Sequence, residues 1–184
     1  TPTNGYSKWT MLSGVARVMY NYAERYMLTG TLRADGSSRF TNKKWGYFPA
    51  AAFAWKINNE PFLKDVKWLD ELKLRLGWGM TGQQNGIDDF YYAPVYTISD
   101  TYAQYPFGDK YYTTMRPSKY NPDLTWEKTT TYNGGLDFTA LNGRFGFNVD
   151  GYYRKTTDLL ATVAIAGGTN FGDQLLKNIG SVEN

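Results

Sequence analysis

The sequence contains no cysteine and no histidine among its 184 residues. Without cysteine the chain has neither disulfides nor thiolate chemistry. Without histidine it lacks the commonest general base and metal ligand, which leaves carboxylates as the only obvious route to hydrolysis. Asp88 and Asp89 do not have the spacing of a calcium-binding loop. We therefore predict no metal site, no cofactor and no catalytic residue, and we expect the protein not to be an enzyme.

Long apolar runs and a strong charge of one sign are also missing. No stretch approaches the ~18 to 20 apolar residues of a membrane-spanning helix. The 20 basic and 17 acidic residues give a net charge of +3, so the basic surface expected of a nucleic-acid-binding protein is absent. Mean hydropathy is −0.53, a value that a transmembrane barrel can share with a soluble domain because its apolar residues alternate with polar ones.

What the chain does have is a strict two-residue period in residues 71–82, which read ELKLRLGWGMTG. Its even positions as far as Met80 are all large and apolar, whereas its odd positions as far as Gly79 are charged residues or glycine. This alternation predicts a strand with one apolar face. The apolar positions are Leu72, Leu74, Leu76, Trp78 and Met80.

Similar alternation predicts seven strands, within residues 10–22, 26–35, 47–57, 71–80, 126–138, 144–154 and 177–184. The connections alternate in length, since those at 22–25 and 141–143 are brief and those at 35–46, 81–125 and 155–177 are long. Asn142-Gly143 predicts a two-residue turn, and residues 58–70 predict one or two helical turns behind Pro61. Short turns on one rim and long loops on the other are typical of outer-membrane barrels. Because a barrel needs at least ~8 strands and an open sheet edge cannot face lipid, we expect a piece of a larger barrel.

Several motifs follow one another in an order that resembles a known family. They are RADGSSRF at 33–40, KWGYFP at 44–49, WKINNEPF at 55–62, LKLRLGWGMTG at 72–82, LTWEK at 124–128, GLDF at 135–138, DGYYRKTTDLL at 150–160 and NIGSVEN at 178–184. From about Gly14 onwards the chain resembles the SusC-like (SusC/RagA) TonB-dependent outer-membrane transporters.

This resemblance implies an all-β fold, a transmembrane antiparallel barrel of about 22 strands with long extracellular loops. It implies a place in the cell outer membrane, in contact with its lipid, and import of glycan or peptide fragments. The partners it implies are a SusD-like lipoprotein that acts as a lid and, through a plug domain, the TonB complex. We expect residues 1–184 to be a barrel segment, with the plug and the other strands outside this chain.

The longest loop is crowded with tyrosines, whose amphipathic rings can stack on sugars or pack against a partner protein. The alternative is that they pack the loop on itself or lie in the aromatic belt at the membrane surface. The candidates for substrate or partner contact are Tyr91, Tyr92, Tyr96, Tyr102, Tyr105, Tyr111 and Tyr112.

Charged residues on the polar face are candidates for lining the lumen of the barrel. They could border a substrate path, or they could form ion pairs that fix the barrel wall or hold a plug. A charge on the lipid face at mid-membrane would cost ~2 to 4 kcal/mol, so their restriction to one face is first a requirement of stability. The candidates are Arg17, Arg33, Lys73, Arg75, Asp137, Asp150 and Arg154.

The segment Asp35–Phe40 predicts a structured turn, in which Asp and Ser bond to their own backbone and Gly36 takes a positive φ.

Two other functions share these strand patterns. One is a passive outer-membrane channel, and the other is a soluble all-β carbohydrate-binding or glycosidase domain whose apolar faces pack sheet on sheet. A glycosidase would need paired carboxylates ~5 to 10 Å apart in a cleft.

Overall fold

The computed structural model describes residues 8–89, 95–167 and 172–184. Within these ranges the chain forms thirteen strands and one short 3-10 helix, Ile57–Asn59. No described helix has the length and hydropathy needed to cross a membrane. The strands are β1 Met11–Tyr22, β2 Tyr26–Ser37, β3 Trp45–Lys56, β4 Leu69–Gln83, β5 Tyr96–Ile98, β6 Gln104–Phe107, β7 Lys110–Thr113, β8 Met115–Pro117, β9 Glu127–Ala140, β10 Phe145–Thr157, β11 Leu160–Ala164, β12 Gln174–Asn178 and β13 Ser181–Glu183.

Seven of these strands form one antiparallel sheet in the order β1-β2-β3-β4-β9-β10-β13. Each strand pairs with the next one in the chain, apart from two excursions that contain β5–β8 and β11–β12. The predicted all-β fold with seven principal antiparallel strands is therefore confirmed.

The two ends of the sheet differ in the connections that join the strands there. Residues 23–25, 57–68 and 141–144 join strands at one end, which we call the short rim. Residues 38–44, 84–126 and 158–180 lie at the other end, the long-loop rim. The 57–68 connection contains a 3-10 helix of three residues, less helix than the predicted one or two turns.

Backbone conformation explains both tight turns. Ala23 and Glu24 have φ of 52° and 53° and are the central residues of a turn that is closed by a hydrogen bond from Arg25 N to the Tyr22 carbonyl at 3.0 Å. Three positive φ angles follow one another at Leu141, Asn142 and Gly143. Because Ala140 pairs with Phe145, this turn has four residues, and the predicted two-residue Asn-Gly turn is wrong.

Strand register sorts the side chains onto two faces, because directly opposed residues in an antiparallel sheet point the same way. Leu74 lies opposite Leu136, which in turn lies opposite Val149. The face that contains these three, which we call the apolar face, runs from β1 to β10. Its members in the outer strands of this set include Val18, Tyr20, Leu28, Leu32, Phe53 and Trp55.

Among the residues that the structure describes, no layer of protein covers the apolar face. Leu76, Phe145 and Phe147 are 48%, 56% and 43% exposed. In a soluble sandwich these side chains would be packed between two sheets and buried. The structure therefore contradicts the soluble-domain alternative.

Most of the large buried apolar side chains gather instead at the long-loop rim. Phe40, Phe48, Ile87, Leu124 and Trp126 form one cluster, which we call the rim cluster. Phe40 is fully buried, with its ring centroid 4.9 Å from that of Trp126. The core of this chain thus joins the loops to one another rather than filling the space between two sheets.

Three further sequence expectations are corrected. Residues 81–124 were expected to lack strands but contain the end of β4 and all of β5–β8, and residues 155–177 contain β11. Within the Asp35–Phe40 segment, Asp35, Gly36 and Ser37 still belong to β2. Gly36 does not take a positive φ. A side chain there would meet the ring of Trp45 at 3.1 Å, so this glycine allows a close approach.

Candidate functional site

The seven charged candidates all lie on the face opposite the apolar one, which we call the polar face. The register places Arg17 and Arg33 there on β1 and β2, and it places Lys73 and Arg75 there on β4. Asp137, Asp150 and Arg154 continue the same face on β9 and β10. That this face borders the lumen of the complete barrel stays a prediction.

Three of these residues meet in an ion-pair triad at the centre of the polar face. Arg75 donates from Nε and a terminal nitrogen to the two carboxylate oxygens of Asp137, at 2.8 Å each. The same terminal nitrogen lies 2.9 Å from Oδ1 of Asp150. Gly135 makes room for the triad, since a Cβ there would lie 2.2 Å from Asp150 Oδ1. The bidentate geometry fixes the guanidinium across three strands.

The other four candidates form no ion pair with the triad residues in the described part of the chain. Arg17 donates from Nε to the hydroxyl of Thr31 at 3.2 Å. Arg33 pairs with Asp35 on its own strand at 2.8 Å. Lys73 lies opposite Asp137 in the register, and the Arg154 guanidinium lies 5.7 Å from the ring centre of Tyr152. The candidates therefore line a surface and do not converge on one reaction centre.

An open concavity of about 720 Å³ runs along this surface between Arg17 and Arg75. Its floor consists of small residues, because β3 and β4 place alanine or glycine at successive positions of the polar face: Ala50, Ala52, Ala54, Gly77 and Gly79. The concavity is thus an open groove with charged groups at its edges and small side chains along its floor.

A smaller cavity of about 420 Å³ lies above it, towards the long-loop rim. Arg33, Asp35 and Gln84 are among its lining residues. The side chain of Gln84 is buried, and its Oε1 has no hydrogen-bond partner within the described part of the chain. Sequence reasoning missed Gln84 because it stands just beyond a strand, where no period marks it.

The aromatic candidates lie on a hairpin at the long-loop rim, residues 95–118, which we call the aromatic arm. Its base is the β5–β8 ribbon and its tip the β6–β7 ribbon. Ser99 joins the two ribbons by donating its N–H to the carbonyl of Thr114 at 2.9 Å. Backbone pairing therefore continues through most of the arm. The sequence did not predict it, because strands this short show no alternating pattern.

The aromatic rings of the arm are exposed. Tyr105 and Tyr112 oppose each other on one face of the tip, and the Phe107 ring lies 6.5 Å from that of Tyr112. Tyr102 is 98% exposed. Tyr96 and Tyr111 are exposed as well, whereas Tyr91 and Tyr92 lie outside the described residues.

A polar node at the short rim was also missed by sequence reasoning. The buried carboxylate of Glu60 accepts hydrogen bonds from the Tyr26 hydroxyl at 2.5 Å, from Trp55 Nε1 at 2.9 Å and from Arg25 at 3.0 Å. The bonds from Tyr26, Trp55 and Arg25 hold the pKa of Glu60 below its ordinary value. Because Glu60 comes from the 57–68 connection, the node ties that connection to the β1–β2 turn.

Sequence comparison identifies relatives of the chain. The family described as TonB dependent receptor-like, beta-barrel matches residues 3–184. The TonB-dependent receptor SusC of Bacteroides thetaiotaomicron is 57% identical over 176 residues, which are 95% of this chain and 18% of that protein. The TonB-dependent receptor P26 of Formosa agariphila is 38% identical over 183 residues, 99% of this chain and 18% of that protein.

Structural comparison agrees. The structure of the RagAB peptide importer in the open-open state matches with a TM-score of 0.82 and 29% sequence identity. The match covers 95% of this chain and 18% of that one. This chain thus spans less than a fifth of the length of these relatives. It belongs to the TonB-dependent receptor family, as a SusC-like part of an outer-membrane β-barrel.

Proposed function

We propose that this chain forms part of the barrel wall of a nutrient importer that takes up glycan or peptide fragments across the outer membrane. The observation that carries the proposal is the two-faced sheet, in which an uncovered apolar face opposes a polar face bearing seven charged candidates. Such a wall separates lipid from a polar passage. Family membership supports energised import over a passive channel.

The polar face would serve as a lining that steers or holds a polar chain. Arg75, Asp137 and Asp150 largely satisfy one another, which suits a fixed wall. Arg33 borders the smaller cavity together with Gln84, whose Oε1 has no hydrogen-bond partner among the described residues, and both could bond to passing hydroxyl or amide groups. No covalent chemistry is required for this function, and we propose no enzyme activity.

We assign the aromatic arm to contact with a SusD-like lipoprotein lid or with the substrate. Exposed rings on a paired ribbon offer large contact areas at low cost in conformational entropy. Patches of this kind on a surface mark interaction sites. TonB-dependent energy would reach the barrel through a plug domain outside the 184 residues.

The test shortens the arm without disturbing its base. In the full-length transporter, residues 100–113 are replaced by Asn-Gly, which closes a two-residue turn between the paired Ser99 and Thr114. We expect substrate uptake by cells and co-purification of the lipoprotein to fall, while the barrel still shows heat-modifiable migration on gels.

A matched control makes the same edit at the other rim, where residues 141–144 are replaced by Asn-Gly between the paired Ala140 and Phe145. Uptake should be retained in this variant. Unchanged uptake and unchanged lipoprotein binding after shortening the arm would remove the arm from the mechanism. Loss of barrel formation in both variants would show that the edit reports on folding only.

A further inference from the structure

A pocket of about 470 Å³ opens at the long-loop rim beside the apolar face, and none of the functions above uses it. One wall is the continuous stretch 42–47, and the other consists of Thr125, Trp126 and Lys128. We call it the lysine pocket, after Lys43, Lys44 and Lys128.

The pocket exists because the sheet is incomplete at this level. β3 pairs with β4 only from Ala50 to Lys56, so residues 45–49 have no ladder partner on that side. The rings of Phe48 and Trp126 fill the inner part of the gap. Gly82 leaves room for Phe48, since a Cβ there would lie 2.0 Å from that ring. Trp126 lines both this pocket and the 420 Å³ cavity on the polar face, so the two are neighbours.

The charge of the pocket has one sign. Three of its nine lining residues are lysines, and none is acidic. None of the three lysines forms an ion pair with any residue in the described ranges. The Lys44 backbone is nevertheless fixed, because its carbonyl accepts hydrogen bonds from Ser37 N at 3.0 Å and from Trp126 Nε1 at 3.3 Å.

The pocket lies where the apolar face ends. Trp45 and Tyr47 belong to that face and are 50% and 62% exposed. On β9 the face carries no charge until Lys128, and on β10 its first charge is Lys155. Aromatic residues and lysines at such a level mark a membrane–water interface. Because the long loops of outer-membrane barrels are extracellular, the pocket faces the head groups of the outer leaflet.

We propose that the lysine pocket binds the phosphorylated head group of an outer-leaflet lipid. The phosphate would accept hydrogen bonds from the three ammonium groups, and the acyl chains would lie along Tyr47 and the apolar face below it. This inference depends on the outer-membrane location of the chain and is independent of what the transporter imports.

The test measures bound lipid A by native mass spectrometry of the full-length transporter released from detergent. Neutralising one lysine should weaken binding of bis-phosphorylated lipid A about fivefold, and neutralising all three about 100-fold. The variants are Lys128→Gln, Lys43→Gln/Lys44→Gln and the triple combination. Dephosphorylated lipid A should bind the unaltered protein no better than it binds the triple variant.

Two controls separate the possible results. Lys64→Gln/Lys67→Gln neutralises the same number of lysines as the double variant at the short rim, and it should leave lipid A binding unchanged. Inorganic phosphate in millimolar excess should not displace lipid A, whereas displacement would indicate a simple anion site and overturn the proposal. Equal binding of the two forms of lipid A, or equal losses in the short-rim control, would also overturn it. Should the triple variant fail to fold, Lys128→Gln and the dephosphorylated lipid still decide the matter.

Discussion

Individual side chains in this sheet are constrained by the face on which they lie and by the neighbours the register gives them. Glycine shows this well. Gly135, on the polar face, borders the Arg75 triad, whereas the Cβ of a residue replacing Gly151 on the apolar face would meet nothing within 4 Å. The same substitution at these two positions therefore has different expected effects.

We predict that Gly135→Ala lowers the unfolding temperature of the barrel in detergent by a few degrees, because the added methyl group displaces the Asp150 carboxylate and the Arg75 guanidinium. Gly151→Ala should leave that temperature nearly unchanged. The measurement is heat-modifiable migration across a temperature series. Equal behaviour of the two variants would show that the triad does not occupy the space assigned to it.

Glu60 gives a prediction about pH. Its pKa is held below the ordinary value of 4.5 by the bonds from Tyr26, Trp55 and Arg25, so the charged form is favoured in the folded state. The resulting stabilisation is fully present above pH 4.5 and is lost as the pH falls through the lowered pKa. We expect the short rim to become susceptible to an acid-active protease in that window, as judged by cleavage within 57–68.

The matched variant is Glu60→Gln, which keeps the shape of the side chain and removes its titration. Cleavage of this variant should be faster than that of the unaltered protein at neutral pH and should change little with acidification. A pH dependence identical to that of the unaltered protein would assign the effect to another group.

Phe40 is the most buried large side chain described, at 0% exposure. Truncating a buried phenylalanine costs about 3 to 5 kcal/mol, so Phe40→Ala should loosen the rim cluster. We expect faster proteolysis of residues 38–44 with the barrel still formed. Phe62→Ala, at a side chain that is 70% exposed, is the control. Similar proteolysis of both variants would mean that the cluster does not hold the loop.

At the scale of elements, we expect each long strand to contact lipid with its apolar face and water with its polar face. Leu74→Arg or Phe147→Arg would place a charge on the apolar face, at a cost of ~2 to 4 kcal/mol near mid-membrane. We expect both variants to block membrane assembly of the full-length protein, whereas Lys73→Ala on the polar face should be tolerated. The measurement is the amount of folded barrel in outer-membrane fractions. Equal effects of all three substitutions would contradict the assigned faces.

The long strands could be predicted from the sequence because each carries its own two-residue period. Leu72 to Met80 is the clearest instance, and its face in the structure is the one the period indicated. The ribbons of the aromatic arm could not be predicted, since β5 and β8 have three residues each, too few for a period. The four-residue turn at 141–144 was not predicted from the sequence, because Leu141 adopts a positive φ that its side chain does not favour.

For the candidate site, the sequence likewise predicted the face on which each residue lies but not its partners. Period alone placed Arg75, Asp137 and Asp150 on one face, but their pairing depends on register across three strands, which a single sequence does not specify. The Glu60 node and the rim cluster join residues distant in the chain, such as Arg25 with Glu60 and Phe40 with Trp126. Contacts of this kind leave no local pattern.

For the whole molecule, the apolar face has the height of a membrane. On β9 it extends from Thr130 to Ala140, ~10 residues that rise ~3.4 Å each along a strand tilted by ~40°, which gives ~26 Å. Transmembrane barrels present an apolar band of ~25 Å. The family, the uncovered face and this height therefore agree on a wall between lipid and water.

The most direct test of this wall uses a full-length transporter in which any cysteine outside these 184 residues, which contain none, has been replaced by serine. Single cysteines are introduced along β4 of the full-length transporter, and a spin label at each position reports collisions with oxygen in the bilayer or with a water-soluble nickel complex. We predict that Leu72→Cys, Leu74→Cys and Leu76→Cys favour oxygen, and that Lys73→Cys and Thr81→Cys, on the polar face, favour the nickel complex. Uniform accessibility along β4, or alternation of the opposite phase, would contradict the assignment of one face to lipid and the other to water.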